Sequence, residues 1–228
     1  NRKVSSDYRY EITFVLDNAG LADAMQWLYT NTTANKSYNN RMVNSIYFDD
    51  VNFSSVRDNL AGIAQRNKLR LRWYGNQKNS LPIFEVKTKN GRLGKKIAYS
   101  INSINNNIME LNLDKITSCC IKDLAIHDII LDDHIVPTLQ VGYEREYYET
   151  HENIRITIDY DIQFSDTQLH TTLNENSSFS YPFHVMEIKF EPNMKNAVSK
   201  LIKPLHMTPK RHSKYLIGLA LLGHAVYI

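Results

Sequence analysis

The chain has little cysteine, no long apolar run and no large excess of either charge. Its two cysteines, Cys119 and Cys120, are adjacent. Neighbouring cysteines rarely bridge each other, so no disulfide framework is expected, and the chain suits a reducing compartment such as the cytoplasm. No stretch reaches the roughly 18 apolar residues of a membrane-spanning helix, and the apolar tail 216–228 reads as a buried C-terminal helix. The eight histidines show no zinc-ligand spacing. No internal repeat is visible. A net charge of +3 does not by itself indicate nucleic acid. What matters is where the charge sits, because cations gathered in a low-dielectric cavity attract anions far more strongly than scattered ones. The chain opens at Asn1 rather than Met, which leaves room for a signal, a membrane partner or a further domain outside it.

What the chain does have is alternating charge inside strand-like runs. In KLRLRWYG, Lys68, Arg70 and Arg72 fall on one face and Leu69, Leu71 and Trp73 on the other. IFEVKTK sets Glu85, Lys87 and Lys89 against Phe84 and Val86. IRITIDY sets Arg155, Thr157 and Asp159 against isoleucines, and MEIKFE sets Glu187 and Lys189 against Met186, Ile188 and Phe190. Period two means strands with two unlike faces. Singly, Arg70 or Glu187 is an ordinary wet-face residue, and a cross-strand ion pair such as Glu85 with Lys96 contributes under about 1 kcal/mol when exposed. Repetition over several strands selects another arrangement: a sheet closed on itself, with a polar lumen and apolar faces packed outward against helices.

The same periodicities predict strands at 8–16, 43–49, 67–75, 81–89, 137–149, 153–164 and 184–191. They predict helices at 18–29 (with Asp17 as the cap), 53–60, 197–205 and 213–222, and one or two helices within 105–133. Residues 166–181 read as a polar loop. Asn90-Gly91 is a hairpin signal. A two-residue turn there pairs Glu85 with Lys96 and points Lys96 to the charged face, whereas a bulge would point Lys95 there instead. The strands are spread too evenly for two domains, so 1–228 reads as one α+β domain.

The inner-face cations are then Arg9, Lys68, Arg70, Arg72, Lys87, Lys89, Lys96, Arg145, Arg155 and Lys189, against the carboxylates Glu11, Glu85, Asp159 and Glu187. Arginine gives planar, bidentate recognition of phosphate oxygens. A few carboxylates can orient the cations or hold a hard divalent metal. A polyanion carrying a metal, such as a triphosphate, satisfies such a site. Nucleic acid is not expected, because aromatics would have to interleave with the cations. Apart from Tyr143 and Tyr147 beside Arg145, most strand aromatics lie on the opposite face. His212, next to Ser213-Lys214, is a lesser candidate for phosphate contact.

These residues also carry a family resemblance. YFDD (47–50), LRLRWYG (69–75), FEVKTK (84–89), YER (143–145), RITID (155–159), MEIKFE (186–191) and SKY (213–215) come in the order seen in VTC domains. Those are the polyphosphate polymerase domains of the vacuolar transporter chaperone complex and their bacterial relatives, within the CYTH-like triphosphate tunnel metalloenzyme superfamily. The resemblance covers nearly the whole chain. It implies a closed antiparallel eight-stranded β-tunnel with a cationic lumen and helices packed outside. It also implies binding of ATP or another triphosphate with Mn²⁺ or Mg²⁺, and transfer of the γ-phosphate to a growing polyphosphate chain. By motif, Arg70, Arg72, Lys87, Arg155 and Lys189 would act on the transferring phosphate. Arg9, Lys96 or Lys95, Tyr143, Arg145, Ser213 and Lys214 would bind substrate, and Glu187 would hold the metal. The implied location is the cytoplasm, or the cytoplasmic face of a membrane through a partner.

One position departs from the family pattern. Where the first strand of such domains usually carries a tunnel-facing Lys, this chain has Thr13, which offers a hydrogen bond but no charge. Arg9 or Lys89 are the cations placed to compensate. The departure keeps two other readings open, a tunnel triphosphatase and a non-catalytic polyanion-binding module. The ExExK first-strand motif of the adenylate cyclases and thiamine triphosphatases in the superfamily is absent, since the strand reads RYEIT.

Overall fold

The alternating runs fold as strands of one antiparallel sheet. The structure, a computed structural model, describes residues 2–6, 9–61, 65–75, 81–90, 93–105 and 107–224. The strands are β1 (Arg2–Ser6), β2 (Tyr10–Leu16), β3 (Asn35–Asp50), β4 (Gln65–Tyr74), β5 (Ile83–Asn90), β6 (Leu93–Ser100), β7 (Ile135–Glu149), β8 (Arg155–Ser165), β9 (Ser178–Ser180) and β10 (His184–Phe190). The helices are α1 (Asn18–Asn31), α2 (Ser54–Leu60), α3 (Leu113–Ala125), α4 (Lys195–Ile202) and α5 (Lys214–Leu221). Asp17 caps α1 by accepting from the Gly20 N–H at 2.7 Å, as its sequence position predicts.

Nine strands run in the order β1-β6-β5-β4-β3-β7-β8-β10-β2, and β9 pairs with the far half of β8. This corrects the expected closed barrel of eight strands. Among the described residues, the end strands β1 and β2 share no ladder. The physical reason lies in the segment leading to α5: the Lys210 N–H donates to Thr13 O at 2.8 Å, using the free edge of β2 that closure would need. The ends still lie near each other. Ser6 and Tyr10 are four residues apart in sequence, which an extended chain spans in at most about 14 Å. Among the described residues, the sheet therefore curls into a tunnel joined by chain connection and not by a ladder between its end strands.

Three apolar clusters hold it. Under α1 and α4, Trp27, Leu28 and Val198 pack on Phe14, Ile156, Ile158, Met186 and Ile188. Under α3, Leu113, Ile116 and Cys120 pack on Ile46, Leu71, Trp73 and Phe84. Both clusters cover the outer face, as the alternation predicts. The third does not. Tyr215 and Leu219 of α5 pack with Val43, Leu139, Val141, Tyr143, Phe164 and Val185. Val43 pairs with Tyr74 and Tyr143, and Val141 pairs with Ser45, itself opposite Arg72. These residues share the face of the cations, so α5 lies inside the curl. The expectation that all helices pack outside is corrected for α5. The reason lies in the assembled sheet: β7 and the end of β8 are apolar on this face, so the inner surface has a polar stretch and an apolar stretch, and α5 covers the apolar one. Its fit is close. A Cβ on Gly218 would lie 2.6 Å from both Leu139 Cδ2 and Phe164 Cδ1.

Candidate active site

The inner face can be followed strand by strand through the pairing. Lys96 lies opposite Lys87, which lies opposite Lys68, while Glu85 lies opposite Arg70. Arg70 pairs with Tyr47 and Arg72 with Ser45. Arg41 pairs with Arg145, and Arg145 with Asp159. Arg155 pairs with Lys189, and Glu187 with both Thr157 and Thr13. Because paired residues share a face, the charges named from sequence converge along one surface.

The deepest cluster joins β7, β8, β10 and α5. Asp159 is fully buried and Arg145 is 9% exposed. The guanidinium grips the carboxylate twice, Nε to Oδ1 at 2.5 Å and Nη2 to Oδ2 at 2.8 Å. Lys214, from the first turn of α5, reaches the same Oδ2 at 2.6 Å. Glu187 stands beside them at longer range: 3.4 Å from Lys189 Nζ, 3.8 Å from Lys214 Nζ and 3.9 Å from Arg145 Nη2. Lys189 also lies 3.4 Å from Glu11. Burial alone would raise the Glu187 carboxyl, but Lys189, Lys214 and Arg145 outweigh it and hold the group well below the usual carboxylate range. Asp159 is lowered likewise, burial being outweighed by Arg145 and Lys214. Lys214 and Arg145 are held cationic, because Asp159 more than offsets the burial that opposes their charge.

A second cluster sits on β4, β5 and β6. Arg70 binds Glu85 through Nε at 2.8 Å and also through Nη2. Lys96 reaches the other Glu85 oxygen at 3.2 Å. Burial tends to raise Glu85, yet Arg70, Arg72 and Lys96 bring it down to about 2. Tyr143 connects the two clusters. Its hydroxyl accepts from Arg72 Nη2 at 3.1 Å, and its ring lies 5.1 Å from the Arg145 guanidinium and 4.8 Å from Lys214 Nζ. The hydroxyl still has its own proton to donate.

The structure thus brings together Arg70, Arg72, Lys87, Lys96, Tyr143, Arg145, Glu187, Lys189 and Lys214. Arg155 is on the same face but at the rim, half exposed and 3.3 Å from Glu149. Arg9 is exposed just before β2. Lys95 is exposed and pairs with Thr88, so of the two alternatives Lys96 is the inner residue. Ser213 caps α5, its Oγ accepting from the Leu216 N–H at 3.5 Å. The proposed β5–β6 turn at Asn90-Gly91 lies partly outside the described residues, as does the Lys89 side chain. The observed register is two residues off the expected one, with Lys87 opposite Lys96. It sets Phe84 against Tyr99 and Val86 against Ile97, whereas the expected register would set Val86 against Lys95 on the packed face.

Arg41 carries no sequence signal, because the run around it shows no clear alternation. Asp159 and Glu85 are inner carboxylates by period alone, but their role as clamps on Arg145 and Arg70 follows only from the register. His212 lies beside Lys214. Burial and then that ammonium push its pKa down to about 4, and its buried Nε2 has no partner.

Among the described residues, no three His, Cys, Asp or Glu side chains gather as a metal cage. The donor set nevertheless fits a hard cation shared with substrate. Asp159 and Glu85 are each held by short charged hydrogen bonds, whereas among the described residues the ion pairs of Glu187 are 3.4 Å or longer. Glu187, with the more exposed Glu11 on the other side of Lys189, is therefore an inner carboxylate with coordination to spare. Mg²⁺-like ions commonly take one or two carboxylates and complete their shell with phosphate oxygens and water.

A model of the VTC domain matches residues 9–223. No curated protein matches the sequence. Among solved structures, the fold is similar to a candidate adenylate cyclase of Bacillus halodurans, with TM-score 0.54 and 10% identity over 94% of this chain and 97% of that one. It is similar to another from Vibrio parahaemolyticus, with TM-score 0.51 and 12% identity over 95% and 99%. It also resembles a candidate adenylyl cyclase of Hippeastrum described as having a dominant triphosphatase activity, with TM-score 0.50 and 14% identity over 92% and 94%. At these identities the likeness is one of fold.

Proposed function

The chain belongs to the VTC domain family, and from that premise we propose that it binds a triphosphate in the curled sheet and transfers the γ-phosphoryl group of ATP to a polyphosphate chain. The observation that carries this reading is the convergence of Arg72, Arg145, Lys189 and Lys214 around Tyr143 and Glu187. Phosphoryl transfer asks little covalent chemistry of a protein. It asks for positioning and for neutralisation of charge spread over the phosphate oxygens.

In this reading Arg70, Arg72, Lys87 and Lys96 grip phosphates from one wall, and Arg145, Lys189 and Lys214 from the other. Tyr143 donates its hydroxyl proton to a phosphate oxygen. Asp159 and Glu85 keep Arg145 and Arg70 in place before substrate arrives, so little reorganisation is left for the reaction. Glu187 would hold Mn²⁺ or Mg²⁺, which would supply charge neutralisation to the phosphate groups. The acceptor is the terminal oxyanion of polyphosphate, already nucleophilic, so no general base is required. Its oxygen forms a bond to the γ-phosphorus as the bond to the ADP oxygen breaks, and ADP leaves. The site is expected to work in the cytoplasm or at the cytoplasmic face of a membrane partner.

A second reading, hydrolysis of triphosphate with water as acceptor, has a specific observation in its favour. The apolar stretch covered by α5 takes up part of the inner face, which leaves less room for a growing chain than for a single triphosphate. Thr13 in place of a cation favours a third reading, polyanion binding without turnover. The test is incubation of the purified chain with ATP and Mn²⁺ or Mg²⁺, followed by gel staining for polyphosphate and assay of free phosphate. Long chains support the polymerase. Phosphate without chains replaces it with hydrolysis. Neither product, with triphosphate still bound, replaces it with the binding module.

A further inference from the structure

Beside the charge network lies a cavity of about 220 Å³. Glu187 and Lys189 line it and also belong to the network, and Tyr38, Tyr147, Arg155 and Thr157 form other parts of its wall. Its outer side is built from rings rather than from available cations. Arg155 is matched by Glu149. The Arg41 guanidinium is wrapped by tyrosines, 5.3 Å from the Tyr38 ring, 5.1 Å from Tyr74 and 5.0 Å from Tyr147. Tyr38 is 59% exposed, with its ring edge-on to Tyr147 at 5.8 Å. Tyr38 thus touches Arg41 and Tyr147 yet keeps more than half of its surface open to solvent, beside the cavity it helps to line.

A surface of tyrosine faces with an embedded guanidinium suits a flat, uncharged ring, which gains from stacking and from the nearby cation. The wall also offers a polar handle: the Thr157 Oγ1 is buried and has no hydrogen-bond partner. The volume is below the roughly 300–1,000 Å³ of sites that take whole drug-sized ligands, so it matches a ring rather than an entire nucleotide. The rest of such a ligand would continue past Lys189 toward Arg145 and Lys214, which are phosphate-binding groups.

We propose that this cavity receives the nucleobase of a nucleoside triphosphate, with Tyr38 as its stacking face. The assignment rests on the triphosphate reading of the inner face given above. It makes the mouth the part of the site that distinguishes a nucleotide from inorganic triphosphate.

The experiment is calorimetric titration of the full 228-residue chain with ATP and, separately, with inorganic triphosphate at one fixed Mg²⁺ concentration, on wild type, Tyr38→Ala and Tyr38→Trp. Tyr38 is exposed on the overhang, so neither variant threatens the fold. Tyr38→Ala should weaken ATP about ten-fold, as expected for one lost stacking face, and leave inorganic triphosphate within about two-fold, while Tyr38→Trp keeps both affinities. The inference is overturned if Tyr38→Ala leaves ATP unchanged, which would put the base elsewhere. It is also overturned if both ligands weaken equally, which would make Tyr38 structural. In either case the triphosphate reading survives. If wild type binds neither ligand, both readings fall together.

Discussion

Lys214 Nζ lies 2.6 Å from Asp159 Oδ2, joining the first turn of α5 to the middle of β8. The contact ties the plug helix to the charge network, because Asp159 also holds Arg145 on its other side. Removing one member of a buried ion cluster leaves the rest uncompensated and commonly costs about 3–5 kcal/mol. Asp159→Asn should therefore lower the melting temperature by about 10 °C. Inorganic triphosphate should restore part of the loss by supplying the missing anion. Thermal unfolding with and without triphosphate checks both effects.

Glu187 and Arg72 should fail differently. Arg72→Ala removes a cation that meets phosphate, and turnover should fall about 10²–10³-fold. Glu187→Gln removes the carboxylate facing Lys189, Lys214 and Arg145. Turnover and its stimulation by metal should be lost, yet metal-free triphosphate should bind more tightly, because the cations are no longer offset. Steady-state rates and titrations in EDTA separate the two variants.

Much of this was legible because alternation reports faces directly. Arg70, Arg72, Glu187 and Lys189 needed only period two to be placed together. The capping of α1 by Asp17 was equally local. Other features depend on contacts distant in sequence. β1 is a five-residue strand, too short to show a period, and is defined by its pairing with β6. The inner position of α5 depends on Val43, Leu139 and Phe164, three residues from three strands. A helix that is apolar in sequence does not say which side of a sheet it covers. Arg41 gave no signal because the pairing of β3 with β7 shifts register between Tyr38 and Arg41, and a bulge erases the alternation by which an inner residue is recognised.

Thr13 lies opposite Glu187 across the β2–β10 ladder and is 8% exposed. Thr13→Lys places an ammonium on the inner face beside that carboxylate. Triphosphate affinity should rise several-fold at low salt, and the gain should shrink as salt increases. Titration at two ionic strengths is the check, and an unchanged affinity at both would remove Thr13 as the explanation of any weak activity.

Gly218 transmits packing to the site. Alanine there meets Leu139 and Phe164 at 2.6 Å, and overpacking of this kind typically costs about 1–3 kcal/mol. Gly218→Ala should lower stability and also weaken triphosphate binding, because α5 carries Lys214. Denaturant unfolding beside triphosphate titration tests the coupling.

His212 sets a pH window. Its folded pKa of about 4 lies below its ordinary value of 6.5, so the unfolded chain binds the extra proton. Stability from keeping it neutral is complete above about 6.5 and is lost as pH falls toward 4. The lowered carboxyls Glu187, Asp159 and Glu85 add a loss at still lower pH, where they must protonate. His212→Gln should therefore lose less stability between pH 7 and pH 5 than wild type does, as read by melting curves at the two values.

The most direct test of the account is titration of the wild-type chain with inorganic triphosphate in Mg²⁺ at several salt concentrations, with Arg72→Ala alongside. The account predicts saturable binding at one site, weakened by salt because charge dominates, and binding at least about ten-fold weaker in Arg72→Ala. Absence of saturable binding to wild type, or equal binding by Arg72→Ala, would contradict it.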